Sequence, residues 1–159
     1  KMMYAAPILL ADDGVPVRQL LFVTPQLLPQ VWTRVRPIFI EHKALWDEFY
    51  AIEDFPPLFE KGRLQLWTMN DKDNFLLALV TELLVYPKTK VMNTVFILGE
   101  EFQDGLKLFH DVIEMWGWKQ GARKSSFIGR DGLQRVLKPY GYTKQAVAMS
   151  KDISAMKEH

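Results

Sequence analysis

The stretch Val91-Met92-Asn93-Thr94-Val95-Phe96-Ile97-Leu98, running into Gly99-Glu100-Glu101-Phe102-Gln103-Asp104-Gly105, decides the fold. Its first part is rich in β-branched and apolar residues, the composition of a buried strand. Beyond it Phe102, Leu106, Phe109, Ile113 and Trp116 step by four and three along one face of a helix that ends near Gly121, a natural left-handed cap. Ser125 to Ile128 then reads as a short strand. A strand, a helix of this length and a second strand make a crossover, which lays the two strands side by side in parallel.

Working outward, the period before this unit is two. Leu64, Leu66 and Thr68 alternate with Gln65, Trp67 and Met69, Asp71-Lys72-Asp73-Asn74 is a polar turn, and Phe75 to Tyr86 is a long strand that Pro87 to Lys90 turns into Val91. These three strands form an antiparallel meander. Further upstream, the apolar runs Ile8–Ala11 and Val15–Val23 flank Asp12-Asp13-Gly14 and read as a hairpin. Thr24-Pro25 predicts a helix start, with Leu28, Val31, Trp32, Val35 and Phe39 at helical spacing. Pro37 is expected to kink or end that helix near Val35, with a second helix resuming through Ala44, Leu45, Phe49 and Ile52. Pro56-Pro57 should break it, leaving Leu58 to Lys61 as a short helical turn. Downstream, Asp131–Lys138 reads as a short helix, Lys144–Met149 as a last strand, and the end of the chain as a frayed tail. The expected fold class is α+β: a twisted, mostly antiparallel mixed sheet with one parallel, splayed strand pair and helices on both faces.

The composition agrees. At 159 residues, with 48% hydrophobic, 13% aromatic and 25% charged residues, the chain suits one packed domain. Lys plus Arg number 20 against 19 Asp plus Glu, so a formal net charge of +1 sets up no broad field for nucleic acid or acidic lipid. There is no cysteine, which excludes a disulfide framework, a thiolate nucleophile and thiolate-bound metal. The longest apolar stretch, Phe75 to Val80, falls far short of the roughly 20 residues that span a bilayer. A soluble, intracellular protein is expected.

The segment Gly129-Arg130-Asp131-Gly132-Leu133-Gln134-Arg135-Val136-Leu137-Lys138-Pro139-Tyr140-Gly141-Tyr142, with Gln65-Leu66-Trp67 and Thr81-Glu82-Leu83-Leu84-Val85-Tyr86-Pro87, resembles the GCN5-related N-acetyltransferase (GNAT) superfamily. Within it, the chain is similar to a subgroup of short GNAT-like proteins encoded by tailed bacteriophages. The similarity runs from about Pro25 to Ile153. It implies a division into an N-terminal strand or hairpin extension (1–23), a GNAT-like domain (24–153) and a tail (154–159). In that superfamily a Gln/Arg-x-x-Gly-x-Gly/Ala loop after the strand of the crossover holds the acyl-CoA pyrophosphate at a helix N-terminus. Here Gly99 to Gly105 has a different glycine spacing, no basic residue and three carboxylates, Glu100, Glu101 and Asp104. A like-charge contact near 4 Å costs roughly 4 kcal/mol at an effective dielectric of 20. A helix terminus returns only about 0.3–1 kcal/mol to an exposed anion. Repulsion is expected to win, with the carboxylates complementing the helix dipole.

The same resemblance places the acid that protonates departing CoA at Leu137, which has no proton to give. Tyr140 and Tyr142 read as packing residues. Glu82, a carboxylate in an otherwise apolar strand, is the candidate general base, against a reading in which it faces solvent or pairs with a lysine. His42, His110 and His159 stand apart from one another, and no metal site is expected. Lys119, Arg123, Lys124 and Arg130 gather at the C-terminal end of the crossover helix, where cations suit its dipole. Trp32, Trp46, Trp67 and Trp116 fit apolar faces; Trp118 falls off the stripe and reads as an exposed contact residue. Ile8 and Leu10 in the hairpin are the other expected partner contacts.

The expected function is that of a GNAT-fold protein without acyl transfer, a binding or structural module such as a phage virion or assembly component. Its partners would be phage structural proteins or itself, without nucleic acid, membrane or cofactor, in the host cytoplasm or within a virion. The alternative is a divergent acyl-CoA-dependent N-acyltransferase with Glu82 as base and with Gly99, Phe102 and Gly105 holding acetyl-CoA.

Overall fold

The computed structural model describes residues 9–10, 16–71, 74–99, 106, 108–129 and 132–158. Strands β1 (Leu9–Leu10), β2 (Pro16–Phe22), β3 (Gln65–Asp71), β4 (Asn74–Val85), β5 (Lys90–Gly99) and β6 (Lys124–Phe127) lie side by side in chain order. All neighbours are antiparallel except β5 and β6, which run parallel. The expected meander and crossover are both present. So is the expected hairpin, since Leu9 pairs with Arg18, while the Asp12-Asp13-Gly14 turn lies outside the described residues. Helix α1 (Leu28–Glu41) and helix α2 (Phe55–Glu60) come between β2 and β3. The crossover helix α3 is a π-helical stretch, Phe109–Glu114, continued by α-helix over Met115–Lys119. Contacts divide the chain into two compact units, Lys1–Gly129 and Arg130–His159.

Both faces of the central strands are covered. On one, Leu66, Ala78, Val80, Phe96 and Leu98 pack with Val35 and Phe39 of α1 and with Phe55 and Phe59 of α2. Trp46 joins this layer, its ring 5.3 Å from that of Phe55, and its indole N–H donates to the Phe39 carbonyl near the end of α1. On the other, Trp116 of α3 meets Trp67 edge-on and stacks with Phe22. Gly117 sets how closely α3 approaches β5, because a Cβ there would come within 2.8 Å of the Met92 sulfur. Burial of each large side chain contributes about 1.5–3 kcal/mol, so these two layers hold the sheet between them.

Four local expectations are corrected. Thr24-Pro25 forms a turn in which the Thr24 carbonyl accepts from Leu27 and Leu28, and α1 starts at Leu28 with Pro29 in its first turn. α1 then passes through Pro37 to Glu41, because Val35 and Phe39 on either side are both fully buried and their packing outweighs the missing backbone bond. The apolar spacing from Ala44 to Ile52 gives no second α-helix but a 3-10 turn at Lys43–Leu45 and another at Ile52–Asp54, since Leu45 and Phe49 point to solvent and no stripe faces the core. Pro56-Pro57 sits inside the first turn of α2, where the absent N–H groups have no helical partner in any case.

In the second unit, helix α4 (Gly132–Leu137) leads through a 3-10 turn at Lys138–Tyr140 into left-handed Gly141, the expected Gly-aromatic turn. The expected strand Lys144–Met149 does not form: the segment is exposed, with Val147 at 66% and Met149 at 90%. Alternation supplies one amphipathic face, but a strand also needs a neighbour's hydrogen-bond ladder, and this segment has none among the described residues.

Pro37 is exposed, so its replacement changes the helix without touching the core. Pro37→Ala is expected to stabilise the protein by up to about 3 kcal/mol, read as a higher midpoint in urea unfolding.

Candidate functional site

β5 and β6 pair only from Val91 and Lys124 to Thr94 and Phe127, with one more bond from the Ile128 amide to the Thr94 carbonyl. Beyond that point β5 continues to Gly99 without β6. The parting coincides with a bulge: Val80 faces Phe96 while Thr81 faces Thr94, leaving Val95 as the extra residue on β5. A slot opens between the two strands, as the mixed sheet implied.

Three polar side chains line up across the strands just before the slot. Glu82 pairs in register with Asn93, and Asn93 with Ser126. The Asn93 amide donates to Glu82 Oε2 at 2.9 Å, and the Ser126 hydroxyl donates to Asn93 Oδ1 at 2.9 Å. Period two puts Glu82 on the face of Ala78 and Val80, the side covered by α1 and α2. There Tyr50 stacks on Phe55 and meets Phe96 edge-on. Burial pushes the Tyr50 phenol above its usual pKa, and the negative charge of Glu82 pushes it further. Glu82 is therefore neither a solvent-facing side chain nor a lysine partner. It is half-buried, held by an amide and next to a phenol.

The opposite face carries a second polar group. Trp67 donates its indole N–H to Thr81 Oγ1 at 3.0 Å, Thr81 donates to Gln65 Oε1 at 2.9 Å, and the Gln65 amide donates to the Gly62 carbonyl. Thr94, directly opposite Thr81, is buried at the point of parting, and its hydroxyl has no hydrogen-bond partner among the described residues.

The other sequence candidates fall elsewhere. Gly99 ends β5 at a φ of +133°, and a Cβ there would lie 2.6 Å from the Leu76 carbonyl oxygen. Its packing against β4 already requires glycine, whatever binds nearby. Phe102 and Gly105 lie outside the described residues, as do Glu100, Glu101, Asp104, Arg130 and Ile8. Leu10 is in β1, opposite Pro16. Leu137 is buried. Trp118 is 58% exposed, as its place off the stripe predicted. His110 has a carboxylate partner on its own helix: its Nδ1 lies 2.7 Å from Oε1 of Glu114, four residues on. That hydrogen bond raises its pKa, burial opposes the shift, and the charges of Glu114 and Asp111 assist it. No three metal-ligating side chains converge among the described residues. No helix among them is long and apolar enough to cross a membrane.

The fold recurs in known structures. A GCN5-related N-acetyltransferase from Ralstonia eutropha superposes with a TM-score of 0.63 at 16% identity, covering 87% of this chain and 99% of its own. An aminoglycoside acetyltransferase from an uncultured soil metagenomic sample gives 0.66 at 9%, with coverage of 86% and 99%. A predicted acetyltransferase from Clostridium acetobutylicum, solved with acetyl-CoA, gives 0.59 at 10%, with coverage of 89% and 99%. The fold is that of the GCN5-related N-acetyltransferases. No family model matches the sequence. No curated protein matches it either.

The segment after Leu98 carries three carboxylates and no Lys or Arg before Lys107, a composition that does not suit a diphosphate. Sequence reasoning missed Tyr50, Asn93 and Ser126. Tyr50 was hidden in the misread helix, and the other two become a row with Glu82 only once strand register is known.

Thr81 and Thr94 face each other, yet the same substitution should act in opposite senses. Thr81→Val leaves the Trp67 N–H and Gln65 Oε1 buried without Thr81, at about 1–3 kcal/mol for each group left unsatisfied, whereas Thr94→Val removes a lone hydroxyl and leaves stability equal or higher. Chemical denaturation of the two variants checks this. A pH effect also follows from Tyr50. With its folded-state pKa raised above the unfolded value, its contribution is complete below about pH 10 and is lost as pH climbs through the folded pKa. Tyr50→Phe should therefore flatten part of the alkaline fall in urea stability, and Glu82→Gln a smaller part.

Proposed function

We propose that this chain is a GNAT-fold module that has given up acyl transfer and works by binding other proteins, as a component of a phage particle or of its assembly. One observation carries the reading: the stretch that should receive the coenzyme's diphosphate presents Glu100, Glu101 and Asp104 and no cation. An anion placed among them meets repulsion several-fold larger than a helix terminus can offset. Leu137, at the position expected for the proton donor, points the same way. The resemblance of Gly129–Tyr142 to short phage-encoded relatives supplies the setting, with other virion proteins or a second copy as partners. An inactive module of this kind keeps the sheet and its two covering layers, which need no cofactor.

A second reading keeps the chemistry: a divergent N-acyltransferase using acetyl-CoA, with Glu82 as general base. The Glu82–Asn93–Ser126 row beside the slot favours it, because a carboxylate held by an amide is a positioned base.

Calorimetric titration with acetyl-CoA separates the two. The binding module gives no saturable heat up to millimolar ligand. Saturable micromolar binding, together with acetyl transfer to a panel of amines that Glu82→Gln abolishes, would establish the enzyme instead. Substitution at Gly99 is unsuitable as a control, since it disrupts the strand itself.

A further inference from the structure

The end of the sheet away from the slot carries a surface of a different character. The β4–β5 turn and the turn from α3 into β6 are bound together there. The Arg123 amide donates to the Lys90 carbonyl at 2.9 Å, and Lys90 Nζ donates to the Gln120 carbonyl at 2.7 Å. Between Tyr86 and Lys90 and between Gly117 and Lys124 the chain carries five cations and no carboxylate. Two aromatic side chains, Trp118 and Tyr86, are more than half exposed in the same two turns. Trp118 is pinned: the Arg123 guanidinium lies 5.2 Å from its ring centroid and donates to the Trp118 carbonyl at 3.1 Å. An exposed indole held in place by an arginine loses little freedom on binding, and Trp, Tyr and Arg are the residue types that dominate interface energies.

We infer that this end, built from Tyr86, Lys88, Trp118, Arg123 and Lys124, docks an acidic protein segment that also offers an apolar side chain to Trp118. The local excess of cations selects the acidic charge. The compactness of the patch selects a protein over a nucleic acid: the cations are confined to two short turns, the formal net charge of the whole chain is only +1, and Arg123 already covers one face of the indole. The surface deepens the binding reading proposed above, but its test is separate, because acetyl-CoA reads the slot and a peptide reads this end.

The probe is a fluorescein-labelled peptide of alternating Glu and Leu, followed by fluorescence anisotropy. The same peptide with Lys for Glu and a labelled oligothymidylate serve as competitors in class. The expected result is saturable binding of the acidic peptide that falls with salt, at least about tenfold weaker in Trp118→Ala and in the double variant Lys88→Glu/Lys124→Glu. All three substituted side chains are exposed, and far-UV circular dichroism confirms that the variants remain folded. Absence of saturation, an affinity that neither variant changes, or tighter binding of the oligothymidylate would each overturn the inference.

Discussion

A strand keeps its ladder only as far as its neighbour runs beside it, and β5 outruns β6 from Val95 onward. The chain meets this constraint in two ways. β4 accompanies β5 to its end, Leu77 opposite Gly99, so one edge of every residue in that stretch remains paired. The Val95 bulge falls at the parting itself, where an unpaired extra residue disturbs least. The slot is thus the place where two requirements, a long buried strand and a short parallel partner, are reconciled. It needs no ligand to exist.

The covering layers make that arrangement stable. Phe39, Phe55, Phe59 and Phe96 lie on one face and Phe22, Trp67 and Trp116 on the other, so β3 to β5 bury side chains both ways. Two sets of polar groups enter this interior hydrogen-bonded to one another, Gln65–Thr81–Trp67 on one face and Glu82–Asn93–Ser126 on the other. Thr94, like Thr24 and Asn70, has a buried polar atom without a partner among the described residues, and it stands where the ladder ends. An orphaned hydroxyl costs the fold a little wherever it occurs.

Much of the fold could be read from period and punctuation. Alternation from Leu64 to Leu98 gave three strands, and the four-and-three spacing of Phe109, Ile113 and Trp116 gave the crossover helix. What alternation and spacing could not supply was the partner. Lys144–Met149 has a strand's pattern and no ladder, and Ala44–Ile52 has a helix's spacing without a face for the core. Proline was over-read at Pro37, where two buried neighbours hold the helix, and at Pro56-Pro57, where the position in the first turn makes it harmless. The site was less legible than the fold. Glu82 stands out as a charge in an apolar run, but Asn93 and Ser126 are ordinary polar residues until register joins them, and Tyr50 reaches Glu82 through tertiary packing alone.

What the sheet needs and what its surface carries are separable. The sheet depends on apolar rows and ladder bonds in β3 to β6. The turn-rich far end of the sheet can then acquire cations and an exposed indole independently, since Lys88, Trp118 and Lys124 are solvent-facing. Such a surface can change while every buried residue beneath it stays the same.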